Sequence, residues 1–363
     1  QTFTAGERGI TRMQDDFDGW WKIVKRIGFI AILVLCICAV GISFLYFLFN
    51  SPQLLESNLP RWLNPRLPEI VIQELSIGRQ SFSFPCYFHF KDIESQILQG
   101  SQKFQVRIRE VDLHGLEIFT AQRRMLLQLQ GVDVQSDLLA LREGQLSVDA
   151  RFTDRNIKTL QGNFKSFGLN LANYVFTDLK AGLSGDKNTI MFNDFSTDFY
   201  DGQIKGQISL DYARDIAYSI TMELTKIDLR QLQKVNPEFF SKVRGRVHGF
   251  VNAKGDRQGI NALEASFDAP EGGEIKASLL QYLVAYIPQI PQRKDLEKLI
   301  KTNGQVPLER ADVVIKSISD EKISSKIQLE SRKFNLGINM TVDTNIEGGL
   351  KNLLKYLSNF LQN

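Results

Sequence analysis

The sequence predicts a mainly β fold with a few short helices, in which an N-terminal transmembrane helix is followed by one long antiparallel sheet. Three observations predict it: an uncharged apolar run near the N-terminus, a hydrophobic period of two through most of the remainder, and short polar turns between the alternating runs. With 363 residues, 43% hydrophobic and 23% charged, the chain is long enough for one large or two ordinary domains with a sizeable core. Its 44 basic and 41 acidic residues leave a net charge of only +3. That balance gives no electrostatic case for a nucleic-acid partner.

Residues 1–26 form an N-terminal segment carrying Arg8, Arg12, Lys22, Lys25 and Arg26. Residues 27–49, "IGFIAILVLCICAVGISFLYFLF", contain no charged residue, and at ~1.5 Å per residue they span a ~30 Å hydrocarbon core. A cleaved signal peptide and a buried core helix compete with a transmembrane helix here. The run is longer than a typical signal h-region, no A-x-A site follows it, and polar residues at helical spacing are missing. Only Arg61 and Arg66 follow closely, so the excess of positive charge before the span places the N-terminus in the cytosol and the bulk outside. Trp20, Trp21 and Trp62 suit interfacial belts, although Trp62 also fits simple packing beyond the anchor.

Cys36 and Cys38 fall inside the span, so Cys86 has no disulfide partner in the exported part and is expected to be buried in "FSFPCYFHF". Residues 50–68 hold Pro52, Pro60, Pro65 and Pro68, the composition of a stalk rather than of a helix or strand interior.

Residues 69–363 read as one β-rich extracytoplasmic domain. "FNLGINMTVD" sets Phe334, Leu336, Ile338, Met340 and Val342 on one face. "KISSKIQLE" does the same with Ile323, Ile327 and Leu329, and "AYSITMEL" with Tyr218, Ile220, Met222 and Leu224. Polar stretches at 184–189, 211–215, 253–259 and 319–321 are the expected hairpin turns. Two pairs of segments resemble each other: 263–283 with 336–357, both with E-G-G and a L-L-x-Y-L ending, and "YDGQIKGQISLDY" with "KVRGRVHGFVNAKGD". They suggest a repeated strand-and-helix unit. Helices are expected at 275–287, 350–361 and 228–233, with a further helix restarting in "RKDLEKLIK".

Catalytic signatures are missing. His89, His114 and His248 belong to no zinc-hydrolase motif, and there is no nucleophile elbow or phosphate loop. Ser184 and Lys187 form S-x-x-K, but Gly185, Asp186 and Asn188 make that stretch a turn. Asp194, Asp198 and Asp201 match no calcium-loop spacing. The chain is therefore read as a non-enzyme with no cofactor and no metal.

"FYDGQIKGQISLD", "MELTKIDLRQL", "VRGRVHGFVNAKGD" and the tail from "LERADVVIKSISDEKISSKIQLES" to "NMTVD" together resemble the AsmA-like family of Gram-negative envelope proteins, themselves similar to bridge-type lipid transfer proteins. The resemblance covers about half the chain, mainly from Leu146 onward, through degenerate motifs; residues 69–144 depart from it. It implies an inner-membrane anchor and a periplasmic, curved β-groove whose apolar face shields acyl chains. Its partners would be phospholipid, envelope proteins or further copies of the chain. The expected lining is Tyr218, Ile220, Met222, Leu224, Ile323, Ile327, Leu329, Phe334, Leu336, Ile338, Met340 and Val342. Periodicity fits an uncovered groove and a closed sandwich core equally well.

Overall fold

The computed structural model describes residues 52–66, 70–83, 86–99, 102–116, 122–137, 139–153, 156–171, 173–213, 217–235, 237–256, 259–281, 291–302, 304–346 and 349–350. The apolar run 27–49 and most of the helix expected at 350–361 lie outside them. No helix among the described residues is long and apolar enough to cross a membrane. The described chain is mainly β, with seventeen antiparallel strands and few helices. The described residues divide into two compact units, an N-terminal one of 52–197 together with 207–213, and a C-terminal one of 198–206 and 217–350.

Among the described residues the N-terminal unit begins with α1 (Pro52–Leu63) and a 3-10 turn (Asn64–Arg66), where the composition of residues 50–68 suggested a proline-bearing stalk. Pro52 sits in the first turn, where its missing N–H costs nothing. Leu55, Leu59 and Leu63 recur every fourth residue and are buried, and Leu59 and Leu63 pack on Ile72 of the first strand. The Asn64 side chain accepts from the Ile72 N–H at 2.8 Å and donates to its carbonyl at 3.1 Å. Glu56 accepts from the Ile77 N–H at 2.7 Å. Helix and strand are thus stitched together through backbone groups.

Consecutive strands then form a meander: β1 (Val71–Ser83), β2 (Tyr87–Gln99), β3 (Gln102–Leu116), β4 (Gln122–Gln135), β5 (Leu139–Thr153), β6 (Asn156–Leu171), β7 (Tyr174–Gly185) and β8 (Thr189–Phe199). From β1 through β7 each pairs with the next in antiparallel register. Their alternation changes phase mid-strand. In β3 the buried residues are Phe104, Val106 and Ile108, then Val111 and Leu113; in β4 they are Met125, Leu127 and Leu129, then Val132 and Val134. In β4 the change falls at left-handed Gly131 (φ 62°), and β3 changes at Arg109 and Glu110, with Arg109 beside that glycine; Asp92 (φ 53°), Glu143 (51°), Asp178 (50°) and Asp194 (49°) are left-handed within other strands of the meander. Such bulge-like positions bend a strand and increase its twist. The inner face they shape is filled by one continuous cluster in which Leu127 and Val148 are 0% exposed. Cys86 is buried, as expected, and burial pushes its thiol pKa up.

The C-terminal unit contains β10 (Ala217–Asp228), β11 (Val243–Asp256), β12 (Gly259–Asp268), β13 (Gly273–Lys276), β14 (Gln305–Leu308), β15 (Arg310–Ser319), β16 (Lys322–Ser331) and β17 (Leu336–Asn345), preceded by β9 (Gly202–Asp211), whose first half belongs to it. The order β10, β11, β12, β15, β16, β17 is a run of antiparallel neighbours. A short side ladder of β13 and β14 pairs with the start of β11.

The helix expected from 275 begins instead as strand β13, followed by a 3-10 turn (Ala277–Leu280). The short helix expected at 228–233 is a 3-10 turn (Gln231–Lys234). Pro237–Phe240 forms α2, and the expected restart is α3 (Pro291–Thr302). Both glycines of "YDGQIKGQISLDY" allow close approach of β9 to β10: a Cβ on Gly206 would lie 2.1 Å from the Thr221 carbonyl oxygen, and one on Gly202 2.4 Å from that of Thr225.

Candidate functional site

Register in the C-terminal unit aligns apolar residues into rows that cross six strands. One row runs Leu224, Gly249, Phe267, Val313, Ile327, Met340. The next runs Met222, Val251, Ala265, Ile315, Ser325, Val342. The row behind them on the opposite face is Glu223, Phe250, Ser266, Val314, Lys326, Thr341. That face is bound by polar contacts, among them Lys316 to Glu264 at 3.6 Å and Lys322 to Asp343 at 2.7 Å. The sheet is therefore two-faced, as strict period-two sequences require.

Eleven of the twelve residues expected as lining lie on β10, β16 and β17, and the pairings Leu329–Ile338 and Ile327–Met340 bring the last two strands' sets into one surface. Phe334 is the correction. It sits in the 332–335 turn rather than on a strand, 38% exposed, with the Lys333 ammonium 5.8 Å from its ring centroid. The alternation of "FNLGINMTVD" extends one step further than the ladder does, because β17 begins at Leu336 and Asn335 takes left-handed backbone (φ 46°).

Burial along this face is graded. At one end Leu329 and Ile338 are buried with Ala277, Leu280, Val306 and Leu308, and Leu299 and Ile300 of α3 pack on the same cluster. At the other end Ile323 packs with Ile260, Ile346 and Leu350. Tyr218 is buried with its ring over Gly255, where a Cβ would meet the hydroxyl at 2.3 Å. Burial, and secondarily the Asp256 charge, pushes its phenol up to about 12. Between these ends Met222, Leu224, Val251, Ile315 and Val342 remain half-buried.

Sequence reasoning missed the central contribution of β11, β12 and β15. Val251, Phe267, Val313 and Ile315 carry a period-two signal in "GFVNA", "EASFD" and "ADVVIKS", but exposed Phe250 and Val314 blur it on the other face. Gly249 shows why one row position is empty of side chain. The Phe267 ring lies over it, so that a Cβ there would fall 2.6 Å from the ring.

On the outward face of the N-terminal unit, register brings together groups that no motif linked. Tyr87, His89 and Lys91 of β2 stand opposite His114, Asp112 and Glu110 of β3. The Tyr87 hydroxyl donates to Asp112 Oδ1 at 2.5 Å, and His89 Nδ1 lies 2.7 Å from the same oxygen. Burial alone raises the Asp112 pKa, but the hydrogen bonds from Tyr87 and His89 outweigh it and hold the carboxyl below the ordinary aspartate value. The bond to Asp112 pushes the Tyr87 phenol up to about 12. The S-x-x-K stretch resolves as a turn, in which Asp186 accepts from Asn188 N, Thr189 N and Thr189 Oγ1, while Asp194 and Asp198 lie on β8 and His248 on β11.

No family model, curated protein or solved structure matches the chain.

Proposed function

We propose that the chain is a membrane-anchored, non-catalytic lipid-binding or lipid-transfer protein of the bacterial envelope, with residues 27–49 in the inner membrane and the sheet in the periplasm. The observation that carries this reading is the pair of rows through Met222 and Leu224, which cross six strands, are apolar but for Ser325 and the side-chain-free Gly249, and are half-buried but for Ala265. Six strands at ~4.8 Å spacing span about 24 Å. That exceeds the ~15 Å of one leaflet's acyl layer, taken as half a bilayer core. An acyl chain laid on these rows would supply the dispersion contacts that a facing protein layer supplies elsewhere. The AsmA-like resemblance points the same way, since a shielded apolar strand face is what that family implies.

One observation favours a second reading, a membrane-anchored scaffold that recruits envelope proteins. The inner face of the N-terminal unit is filled by the protein's own side chains, down to 0% exposure at Leu127 and Val148. We therefore confine the lipid-bearing surface to the C-terminal unit and give the N-terminal unit a supporting role.

Photo-crosslinking tests the assignment. A photoreactive residue replacing Met222 or Val342 in the full chain in its native membrane is expected to yield phospholipid adducts, and one replacing Lys326 on the opposite face none. Protein adducts without lipid at the first two positions would favour the scaffold and end the lipid reading.

A further inference from the structure

We propose that His89 and Glu110 form a divalent-metal site of the zinc class on the outward face of the N-terminal unit, with Asp112 as the carboxylate that orients the histidine. His89, Glu110 and Asp112 present ligand atoms within 4.8 Å of one another, the one such grouping among the described residues. Their placement follows from the ladder. His89 stands directly opposite Asp112, and Glu110 is Asp112's neighbour two residues along the same face.

The two ring nitrogens of His89 are held differently. Nδ1 is 2.7 Å from Asp112 Oδ1, an oxygen that already accepts the Tyr87 hydroxyl. That oxygen is an acceptor, so Nδ1 is the donor, and in the neutral ring the lone pair belongs to Nε2. Nε2 faces Glu110 Oε1 at 3.4 Å. A charge-assisted N–H···O bond closes to about 2.7–2.9 Å, so this pair is too far apart for a strong one. A cation seated between Nε2 and Glu110 Oε1 would be bound by a lone pair from each side. A tetrahedral ion at about 2.0–2.1 Å from an imidazole nitrogen and from a carboxylate oxygen separates those two atoms by about 3.4 Å. The Nε2–Oε1 gap matches that bite.

Asp112 then plays the part of the carboxylate that fixes the ring and raises its basicity, and Tyr87 fixes Asp112 in turn. Tyr87 is itself held by His114, with ring centroids 4.2 Å apart. Water completes the coordination, since the His89 and Glu110 side chains are 19% and 28% exposed. One group opposes the ion: Lys91 Nζ lies 3.7 Å from Glu110 Oε1, on a side chain 46% exposed and free to swing outward.

The test is zinc titration into the full-length, metal-stripped chain purified in detergent, followed calorimetrically. One zinc per chain is expected. His89→Asn and Glu110→Gln should each weaken binding at least tenfold, and Asp112→Asn 10- to 100-fold although it supplies no ligand. Lys91→Ala should tighten it by removing a competing charge. His248→Asn, in the other unit, should leave it unchanged. Far-UV circular dichroism checks each variant's fold; should His89→Asn fail to fold, Glu110→Gln carries the same test. Absence of zinc binding to the wild type, wild-type affinity in Glu110→Gln, or weaker binding in Lys91→Ala would each overturn the site.

Discussion

Truncating matched apolar residues in the two units, Leu127→Ala and Met222→Ala, should destabilise them to very different degrees. Leu127 is 0% exposed inside the N-terminal cluster, so its removal loses the transfer energy and leaves a cavity, about 3 kcal/mol in all. Met222 is half-buried on the open rows. Its truncation loses about half of a transfer term of roughly 1.5–3 kcal/mol and leaves no enclosed void, so about 1 kcal/mol is expected. At 1.4 kcal/mol per factor of ten, these correspond to about 100-fold and about fivefold in the unfolding equilibrium. The assay is amide hydrogen exchange of the delipidated full chain, read on β4 for the first variant and on β10 for the second, because a two-unit chain need not unfold in one step. Phospholipid should then protect β10 in the wild type and protect it less in Met222→Ala. A Met222→Ala cost equal to that of Leu127→Ala would mean that protein already fills the space above β10. The lipid surface would then not exist.

Two further outcomes follow from the backbone and from one buried carboxylate. Gly206→Ala places a Cβ 2.1 Å from the Thr221 carbonyl oxygen, whereas Gly337 on β17 has nothing within 4 Å of its Cβ position; the first should lower the melting temperature by several degrees (about 1–3 kcal/mol), the second should leave it unchanged or raised. Asp228 is held below the ordinary aspartate pKa chiefly by hydrogen bonds from the Arg230 side chain, against a smaller burial effect. A depressed folded-state pKa contributes stability above the unfolded value of 3.8 and loses it as pH falls through the folded one. Melting curves of Asp228→Asn should therefore show a shallower acid-side decline than the wild type, and identical slopes would refute the coupling.

The C-terminal strands were legible because their side chains keep one parity over long runs. "KISSKIQLE" and "INMTVD" hold the same face from end to end, and the ladder follows them. The N-terminal strands were not. Asp92, Gly131, Glu143, Asp178 and Asp194 take left-handed backbone mid-strand, so apolar residues switch from even to odd positions within one element and a fixed period finds only fragments. Residues 50–68 misled for another reason: four prolines mask a leucine stripe at Leu55, Leu59 and Leu63 that only packing on β1 reveals. The His89 cluster was invisible because His89 lies more than twenty residues from Glu110 and Asp112 in sequence and meets them only through register.

The same bulge-like positions that hid the N-terminal strands also bear on function. A strand with left-handed interruptions bends and twists more strongly than a regular one, which favours a face that packs against itself, and the buried cluster of that unit is what such packing produces. Strands β11, β12 and β15 to β17 carry their left-handed positions at the ends or outside the ladder, at Gly245, Gly259 and Asn335, and the interruption in β10, Lys226, lies beyond the two apolar rows. Their central rows stay regular, so nothing in the backbone folds them onto themselves. A fully buried interior and a half-buried apolar face thus arise from one alternating sequence style, separated by where the described chain places its few positive-φ residues. Moving an interruption into the middle of β16, for instance by inserting one residue after Ile327, would flip Ile323 and Ser325 to the polar face and abolish lipid crosslinking at Val342 while leaving the N-terminal cluster intact.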